Sequence, residues 1–451
     1  MGRPGSALLA PATRRVISLA LLGGTLHLGG CARPIGQPGD EMPLTGASKR
    51  LMPTHLLPGW RRDFSELRLE SNKAVHLAAP AIDADRNRLC LGTPSGYIEC
   101  MVASSGVTLW RKWIPPRKGA ESEVKIQAPL RDLAAESDAE AEAEKARVKR
   151  SSSSSAIMDN GQLIIGTDDG LLLCLDSKTG DEIWRYEVPG ALIKRPVLVK
   201  NRILFVDGTN TLYALNRDTG AWEWQVDRPP PAEFALSSEG MPASDGERAY
   251  VGFSDGHLMA LSLNDGAQLW KRDLAPEHDK FEDVDATPVI SNGVLYAASA
   301  ASALYALDPV TGEVKWTQPI EGIIGMTGHE GDLIASTDRG QLLRLSGQDG
   351  HVRWRVRFPG GAPNEAVEVG PYLAVTMAEM GLRFVDPKSG QPIQHFNPGQ
   401  GISAPPTVGE DGNLYVLGDD AVLYSFIHQK VPQPPRSSRS DAPFNHFGLD
   451  D

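Results

Sequence analysis

Leu304-Tyr305-Ala306-Leu307-Asp308-Pro309-Val310-Thr311-Gly312-Glu313-Val314-Lys315-Trp316 is the stretch that decides how this chain folds. The alternating run from Leu304 to Leu307 reads as a half-buried strand. Asp-x-x-Thr-Gly then reads as a hairpin turn, with the aspartate carboxylate capping the reversal and the glycine taking a positive φ that other residues resist. Val314 to Trp316 opens the next strand. Upstream, Val294-Leu295-Tyr296-Ala297 supplies a further strand, and Ala286-Thr287-Pro288-Val289-Ile290 another, with proline at its start where no ladder donor is lost. Four short antiparallel strands in about 42 residues make one propeller blade.

The frame recurs. Leu212-Tyr213-Ala214-Leu215-Asn216 leads to Thr219-Gly220 and Trp224, and Leu172-Leu173-Cys174-Leu175-Asp176 leads to Thr179-Gly180 and Trp184. Degenerate copies end at Gly106/Trp110, Gly266/Trp270 and Gly350/Trp354. Phe384-Val385-Asp386 runs to Ser389-Gly390, with Gln394 where the tryptophan belongs. From Trp184 to Trp354 the tryptophans are spaced by 40, 46, 46 and 38 residues. A sheet this small cannot bury both faces alone, so the copies must stack side by side. The recurring indole is the aromatic expected to fill the gap between neighbours.

Seven copies end near residues 110, 184, 224, 270, 316, 354 and 394. An eighth, Pro406-Thr407-Val408 through Leu423-Tyr424-Ser425-Phe426, stops before its turn. Pro58-Gly59-Trp60-Arg61-Arg62-Asp63 stands alone at the other end of the repeats. Placed beside Phe426 it completes the eighth blade, so strands from both termini close the ring and leave no open edge at the join. The expectation is an all-β, eight-bladed β-propeller of four-stranded antiparallel blades over residues 56–428, with seven blades as the other count. Its structural blade tryptophans are Trp60, Trp110, Trp184, Trp224, Trp270, Trp316 and Trp354.

Around this body the sequence changes character. Residues 1–30 combine Arg3, Arg14 and Arg15 with an apolar stretch from Val16 to Leu28, the pattern of an export signal. It ends Leu28-Gly29-Gly30-Cys31, which resembles the lipobox of bacterial lipoproteins and implies acylation of Cys31. That resemblance, with Ala32 rather than aspartate following, implies sorting to the outer membrane on its periplasmic side. Residues 31–55 read as a flexible Pro/Gly-rich tether. Residues 115–155 carry no strand pattern. They place Asp132, Glu136, Asp138, Glu140, Glu142 and Glu144 ahead of Lys145, Arg147, Lys149 and Arg150, the order that suits a helix dipole. They are expected to form a charged insertion, partly helical or disordered, and 429–451 a disordered Pro-rich tail.

The Leu-Tyr-Ala-Leu-Asp-x-x-Thr-Gly-x-x-x-Trp frame resembles the quinoprotein-type (PQQ-like) repeat. With the lipobox and eight copies, the chain is similar to the BamB family, scaffold lipoproteins of the outer-membrane β-barrel assembly machinery. Glu282-Asp283-Val284-Asp285-Ala286-Thr287-Pro288-Val289 is similar to a segment that opens a blade in that family and lies on its partner-binding face. Phe234-Ala235-Leu236-Ser237 occupies the place of the family's apolar-x-apolar-Arg loop, with the two apolar anchors matched and the arginine absent. The resemblance implies that Phe234, Leu236, Asp283 and Asp285 bind a partner. It implies as partners a barrel-assembly (BamA-like) subunit and unfolded outer-membrane proteins.

A search for chemistry returns little. The histidines show no metal-ligand spacing, and no nucleophile elbow, P-loop or dinucleotide fingerprint is present. No catalytic residue, metal or cofactor is therefore assigned. A net charge of −12 argues against nucleic acid as a partner. The rival reading is a PQQ-dependent quinoprotein oxidoreductase, which uses the same repeat; such enzymes carry a vicinal Cys-Cys that this chain lacks. Another is a propeller that binds envelope polysaccharide or an unrelated secreted protein. Cys90 and Cys100 flank one hairpin and can face each other, as a disulfide in an oxidising compartment or as two small core residues. Cys174 fills the slot of Cys100 one blade later without an obvious mate.

Overall fold

The structure, a computed structural model, describes residues 33–34, 56–64, 78–93, 96–114, 155–228, 240–274, 284, 286–299 and 302–428. The signal segment, Cys31, the tail and all but the last residue of the 115–155 insertion lie outside them. Ser155 belongs with the body, its hydroxyl accepting the Ala79 N–H at 2.8 Å.

The described strands form eight antiparallel sheets. Blades 1 to 7 span 81–113, 157–187, 197–227, 243–273, 289–318, 323–357 and 367–396, each running in chain order from first to fourth strand. Blade 8 takes three strands from 407–428 and its fourth from Leu56–Asp63. The first strands of neighbouring blades touch one another, so they line the axis of an eight-bladed propeller. Pro58 pairs with Phe426 and Arg61 with Tyr424, which places the lone N-terminal strand where the repeat count requires it.

One feature departs from expectation. Arg33–Pro34 adds a fifth strand to blade 8, opposite Trp60 and Arg61, within what reads as an unpatterned tether. Two residues are too short a run to carry a periodicity, so the sequence could not signal it.

Blade-to-blade adhesion explains the tryptophan repeat. Each indole lies on the turn glycine of the next blade: Trp110 on Gly180, Trp184 on Gly220, Trp224 on Gly266, Trp270 on Gly312, Trp316 on Gly350 and Trp354 on Gly390. A Cβ on Gly220 would stand 2.5 Å from the Trp184 ring, so contact this close requires glycine, whose φ of 67° suits it as well. Every indole N–H also donates to a carbonyl of that next turn. Trp184 reaches Arg217 at 2.9 Å, Trp224 reaches Leu263 at 3.1 Å, and Trp60 closes the ring on Ala103 at 2.8 Å. Several of these carbonyls use their second lone pair for a tyrosine: Pro309 takes Trp270 and Tyr250, both at 3.0 Å.

In blades 1 to 5 the residue across the ladder from the indole leaves room for it, whereas Trp354 of blade 6 faces Arg344. Trp110 faces Cys100, Trp184 faces Cys174, and Trp224, Trp270 and Trp316 face alanines. Blade 7 inverts the arrangement, with Gln394 opposite Phe384. The reason lies in blade 8. Its fourth strand comes from the N-terminus, so no Thr-Gly turn exists there for an indole to cover. Phe396 takes over the seam instead, its ring centroid 4.9 Å from Tyr424 and 5.3 Å from Phe426.

Turn caps hold the far end of each hairpin. Asp308 accepts the N–H groups of Val310 and Thr311 at 2.9 and 3.1 Å, and these bonds hold its carboxyl below the usual range. Asn216 makes the same cap without a charge.

The closing strand is locked by charge. Arg62, 1% exposed, donates to Glu99 of blade 1 at 2.8 Å, while Thr108 and Arg111 hold the same carboxylate at 2.6 Å each. Removing Glu99 strands a buried guanidinium. Glu99→Ala is therefore expected to lower unfolding stability by about 3–5 kcal/mol, read from denaturant midpoints. A change below about 1 kcal/mol would show that the closure does not depend on this pair.

Candidate functional site

Antiparallel alternation divides the connections between the two ends of the ring. Hairpins between first and second and between third and fourth strands emerge at one end. At the other end lie the hairpins between second and third strands and the passages from one blade to the next. The first end is built of tight turns, such as Asn160-Gly161 and Asn292-Gly293, both residues of each at positive φ. The second end carries the long connections, including 228–243 into blade 4 and 273–289 into blade 5. Phe234, Leu236, Asp283 and Asp285 fall on these two connections and lie outside the described residues. Their roots are described.

The two roots meet. The Met241 N–H donates to Thr287 Oγ1 at 3.0 Å, so the segments containing the apolar pair and the acidic pair are tied side by side at their bases. Arg228, where the first connection leaves blade 3, is ion-paired with Asp255 of blade 4 and lies 5.8 Å above the Phe253 ring. Leu274, where the second leaves blade 4, is 1% exposed and bonded by its N–H to Gly256. Its carbonyl accepts Ser302 Oγ at 2.8 Å and Tyr305 Oη at 3.0 Å. Val284, between the two aspartates, is fully buried. It fits there because Gly252 has no side chain: a Cβ on Gly252 would stand 2.4 Å from Val284 Cγ1.

Acidic turns at this end are structural latches. Asp207, 3% exposed, accepts the N–H groups of Gly190, Thr209 and Thr211 and the Thr209 hydroxyl. Asp419 accepts the Ser403 N–H at 3.1 Å and its hydroxyl at 2.7 Å. Thr167 and Asp169 hydrogen-bond within their own hairpin, where Gly170 has a φ of 81°. Each carboxylate joins a hairpin to itself or to the passage beside it.

Sequence reading missed a half-buried carboxyl. Glu365, at the lead-in to blade 7, has its carboxyl pushed up by burial, with Arg195 and a Thr327 hydrogen bond opposing the shift. Blades 3 and 7 stand opposite each other in the ring, so Arg195 acts across the axis. No spacing rule links residues so far apart in the chain.

Cys90 and Cys100 face each other in the ladder of blade 1, both fully buried, with Cα atoms 4.1 Å apart and sulfurs at bonding distance. Cys174 is a buried thiol whose pKa burial pushes up to about 12.

The family described as "Outer membrane protein assembly factor BamB" matches residues 94–356. A curated relative of that description from Yersinia pestis is 26% identical over 292 residues, spanning 61% of this chain and 73% of the relative. One from Escherichia coli (strain K12) is 26% identical over 282 residues, spanning 60% and 71%. The crystal structure of BamB from Moraxella catarrhalis aligns with a TM-score of 0.64 at 20% identity, covering 82% of this chain and 99% of that one. Quinohemoprotein alcohol dehydrogenase ADHIIG from Pseudomonas putida HK5 aligns at 0.60 and 14% identity, covering 92% and 82%. At those identities the solved structures share the fold alone.

Gly252→Ala tests the seat of Val284. The added methyl is expected to displace Val284, accelerate amide exchange at residues 284–288 and lower stability by about 1–3 kcal/mol. Unchanged exchange there would mean that the seat does not position this segment.

Proposed function

The chain belongs to the BamB family of outer membrane protein assembly factors, and from that premise we propose how it works in outer-membrane protein assembly: as a scaffold that presents one rigid face to protein partners. The observation that carries the reading is the hydrogen-bonded junction of the connections into blades 4 and 5. Of the two segments it ties at their roots, one carries Phe234 and Leu236 in its sequence and the other Asp283 and Asp285. Apolar anchors beside charged residues are the composition of a docking hot spot. The partner we assign to this face is the barrel-inserting (BamA-like) subunit. Unfolded outer-membrane proteins are a second class of partner, able to pair with exposed blade edges by β-augmentation.

Anchoring follows from Cys31. Acylation there fixes the chain to the outer membrane on its periplasmic side, because two or more acyl chains give stable attachment. Arg33 pairs with blade 8, and two extended residues reach at most about 7 Å, so the anchor would hold blade 8 near the bilayer. In this reading no catalysis is involved: the named relatives are assembly factors, and the likeness to a quinohemoprotein dehydrogenase is one of fold.

The oxidising periplasm suits a Cys90–Cys100 disulfide. Non-reducing peptide mapping of alkylated native protein is expected to recover these two cysteines joined and Cys174 unmodified at pH 8, since burial covers its thiol and pushes its pKa up to about 12. Alkylated Cys90 and Cys100 would overturn the disulfide.

Affinity purification from detergent-solubilised outer membrane tests the role itself. The native protein is expected to bring down a barrel-assembly subunit, and Leu236→Asp to reduce recovery by about tenfold, as loss of a hot-spot side chain does. Absence of any such subunit, or saturable binding of pyrroloquinoline quinone with calcium and dye-linked alcohol oxidation, would replace the scaffold with another function.

A further inference from the structure

The fourth strands form the outer rim of the ring, and among the described residues each in blades 1 to 7 has a strand neighbour on one side alone. Their charges differ: blade 1 ends in Thr-Leu-Trp-Arg-Lys-Trp and blade 5 in Val-Lys-Trp-Thr-Gln, with two bases and one base respectively and no acid. Blade 2 ends in Glu-Ile-Trp-Arg-Tyr-Glu, blade 3 in Trp-Glu-Trp-Gln-Val-Asp and blade 4 in Gln-Leu-Trp-Lys-Arg-Asp, each mixing signs or carrying acid. Blade 6 ends in Val352–Arg357, Val-Arg-Trp-Arg-Val-Arg, with three arginines and no acid. In a chain of net charge −12 this is a local inversion of sign.

Arg353 shares the Asp332 carboxylate with the buried Arg344, at 2.7 and 2.6 Å. Arg355 and Arg357 are exposed and meet no carboxylate among the described residues. Across the ladder their neighbours are Leu343 and Gln341, both uncharged. Two residues apart on one strand, the guanidinium groups share a face with their roots about 6.6 Å apart. That is the spacing of alternate residues on another strand.

The strand runs into an open depression lined by Arg357, Arg339, Phe358, Pro359 and Asp338. Phe358 is 4% exposed and floors it. Arg339 is held by Glu321 at 2.6 Å, but both side chains are about half exposed or more, so a competing carboxylate can displace that pair. Asp338 is turned against Gly322. The depression therefore continues the basic strip with one further guanidinium, that of Arg339, and an apolar floor.

We propose that the outer strand of blade 6 is a docking edge for an extended, acidic segment of a partner protein. The segment adds to the sheet as a fifth strand, its backbone pairing with Val352–Arg357 and its alternate carboxylates meeting Arg355 and Arg357. Blade 8 shows that a fourth strand can take an added strand: Arg33–Pro34 pairs with it in that way. A free anion could use the guanidinium groups but not the backbone edge. A strand of alternating carboxylates uses both, and arginine suits that bidentate pairing better than lysine. This edge lies outside the connections into blades 4 and 5, so one partner could occupy each.

The purified full-length protein and a fluorescein-labelled peptide of alternating glutamate and valine test the proposal. Saturable binding is expected, with amide protection confined to Val352–Arg357, and a peptide carrying lysine for glutamate is expected not to bind. Arg355→Glu with Arg357→Glu should weaken binding about tenfold or more, whereas Arg355→Lys with Arg357→Lys should retain more of it. Both pairs are exposed, and near-identical unfolding midpoints would confirm that the variants fold. Equal binding of the lysine peptide, or binding indifferent to the charge reversal, overturns the proposal. So does full competition by inorganic phosphate, or capture of anionic lipid vesicles in place of the peptide, which would assign the arginines to phosphate groups. No binding would leave the arginines the role of keeping an exposed edge from aggregating.

Discussion

An indole resting on a glycine is the contact on which the remainder of this ring depends. A four-stranded blade has two apolar faces and too few residues to cover either. Blades 2 to 6 each carry a tryptophan on the fourth strand, to cover, and a glycine in the last turn, to be covered. The ring lies flat only because no Cβ intervenes, and the indole N–H then meets a turn carbonyl that would otherwise face the seam without a donor. Trp184 over Gly220, with its bond to Arg217, shows all three elements together. Where the turn is missing, the indole is missing too. Blade 7 has Gln394 because blade 8 borrows its outer strand from the N-terminus and offers nothing to cover.

A ring joined in this way is stiff, and its two ends are unequal. Tight Asn-Gly and Asp-x-x-Thr-Gly turns leave one end compact. Connections between blades collect at the other, held by Asp207, Asp419 and the Arg228–Asp255 pair. Recognition by such a protein is a matter of which segments these latches present. The junction of Met241 with Thr287 sets the roots of two long connections together, and the buried Val284 fixes the second of them.

The repeat made most of the fold legible. Strand order, the eighth blade's borrowed strand and the tryptophan seams all followed from a frame written several times, because a repeated local pattern amplifies weak signals. Less was legible where residues act only once. Arg62 and Glu99 are 37 positions apart, and nothing in either neighbourhood marks a buried pair. The charge of Arg195 opposes the upward push of burial on Glu365 from the opposite side of the ring, a relation only the closed ring creates. The Arg33–Pro34 pairing was too short to read, and a flexible tether was the expectation there. Of the candidate site, the sequence supplied Phe234, Leu236, Asp283 and Asp285 by likeness to a family. Gly252 as the seat of Val284 became visible only once the backbones were side by side.

Hydrogen exchange on the free protein and on its complex with the barrel-inserting subunit addresses the central claim, that a seam-locked ring presents one face. Protection on binding is expected at residues 240–243 and 284–288, with the amides of the indole-bonded turns near Gly180, Gly220 and Gly266 slow in both states. Protection on the opposite, tight-turn face, or turn amides that exchange fast in the free protein, would contradict it.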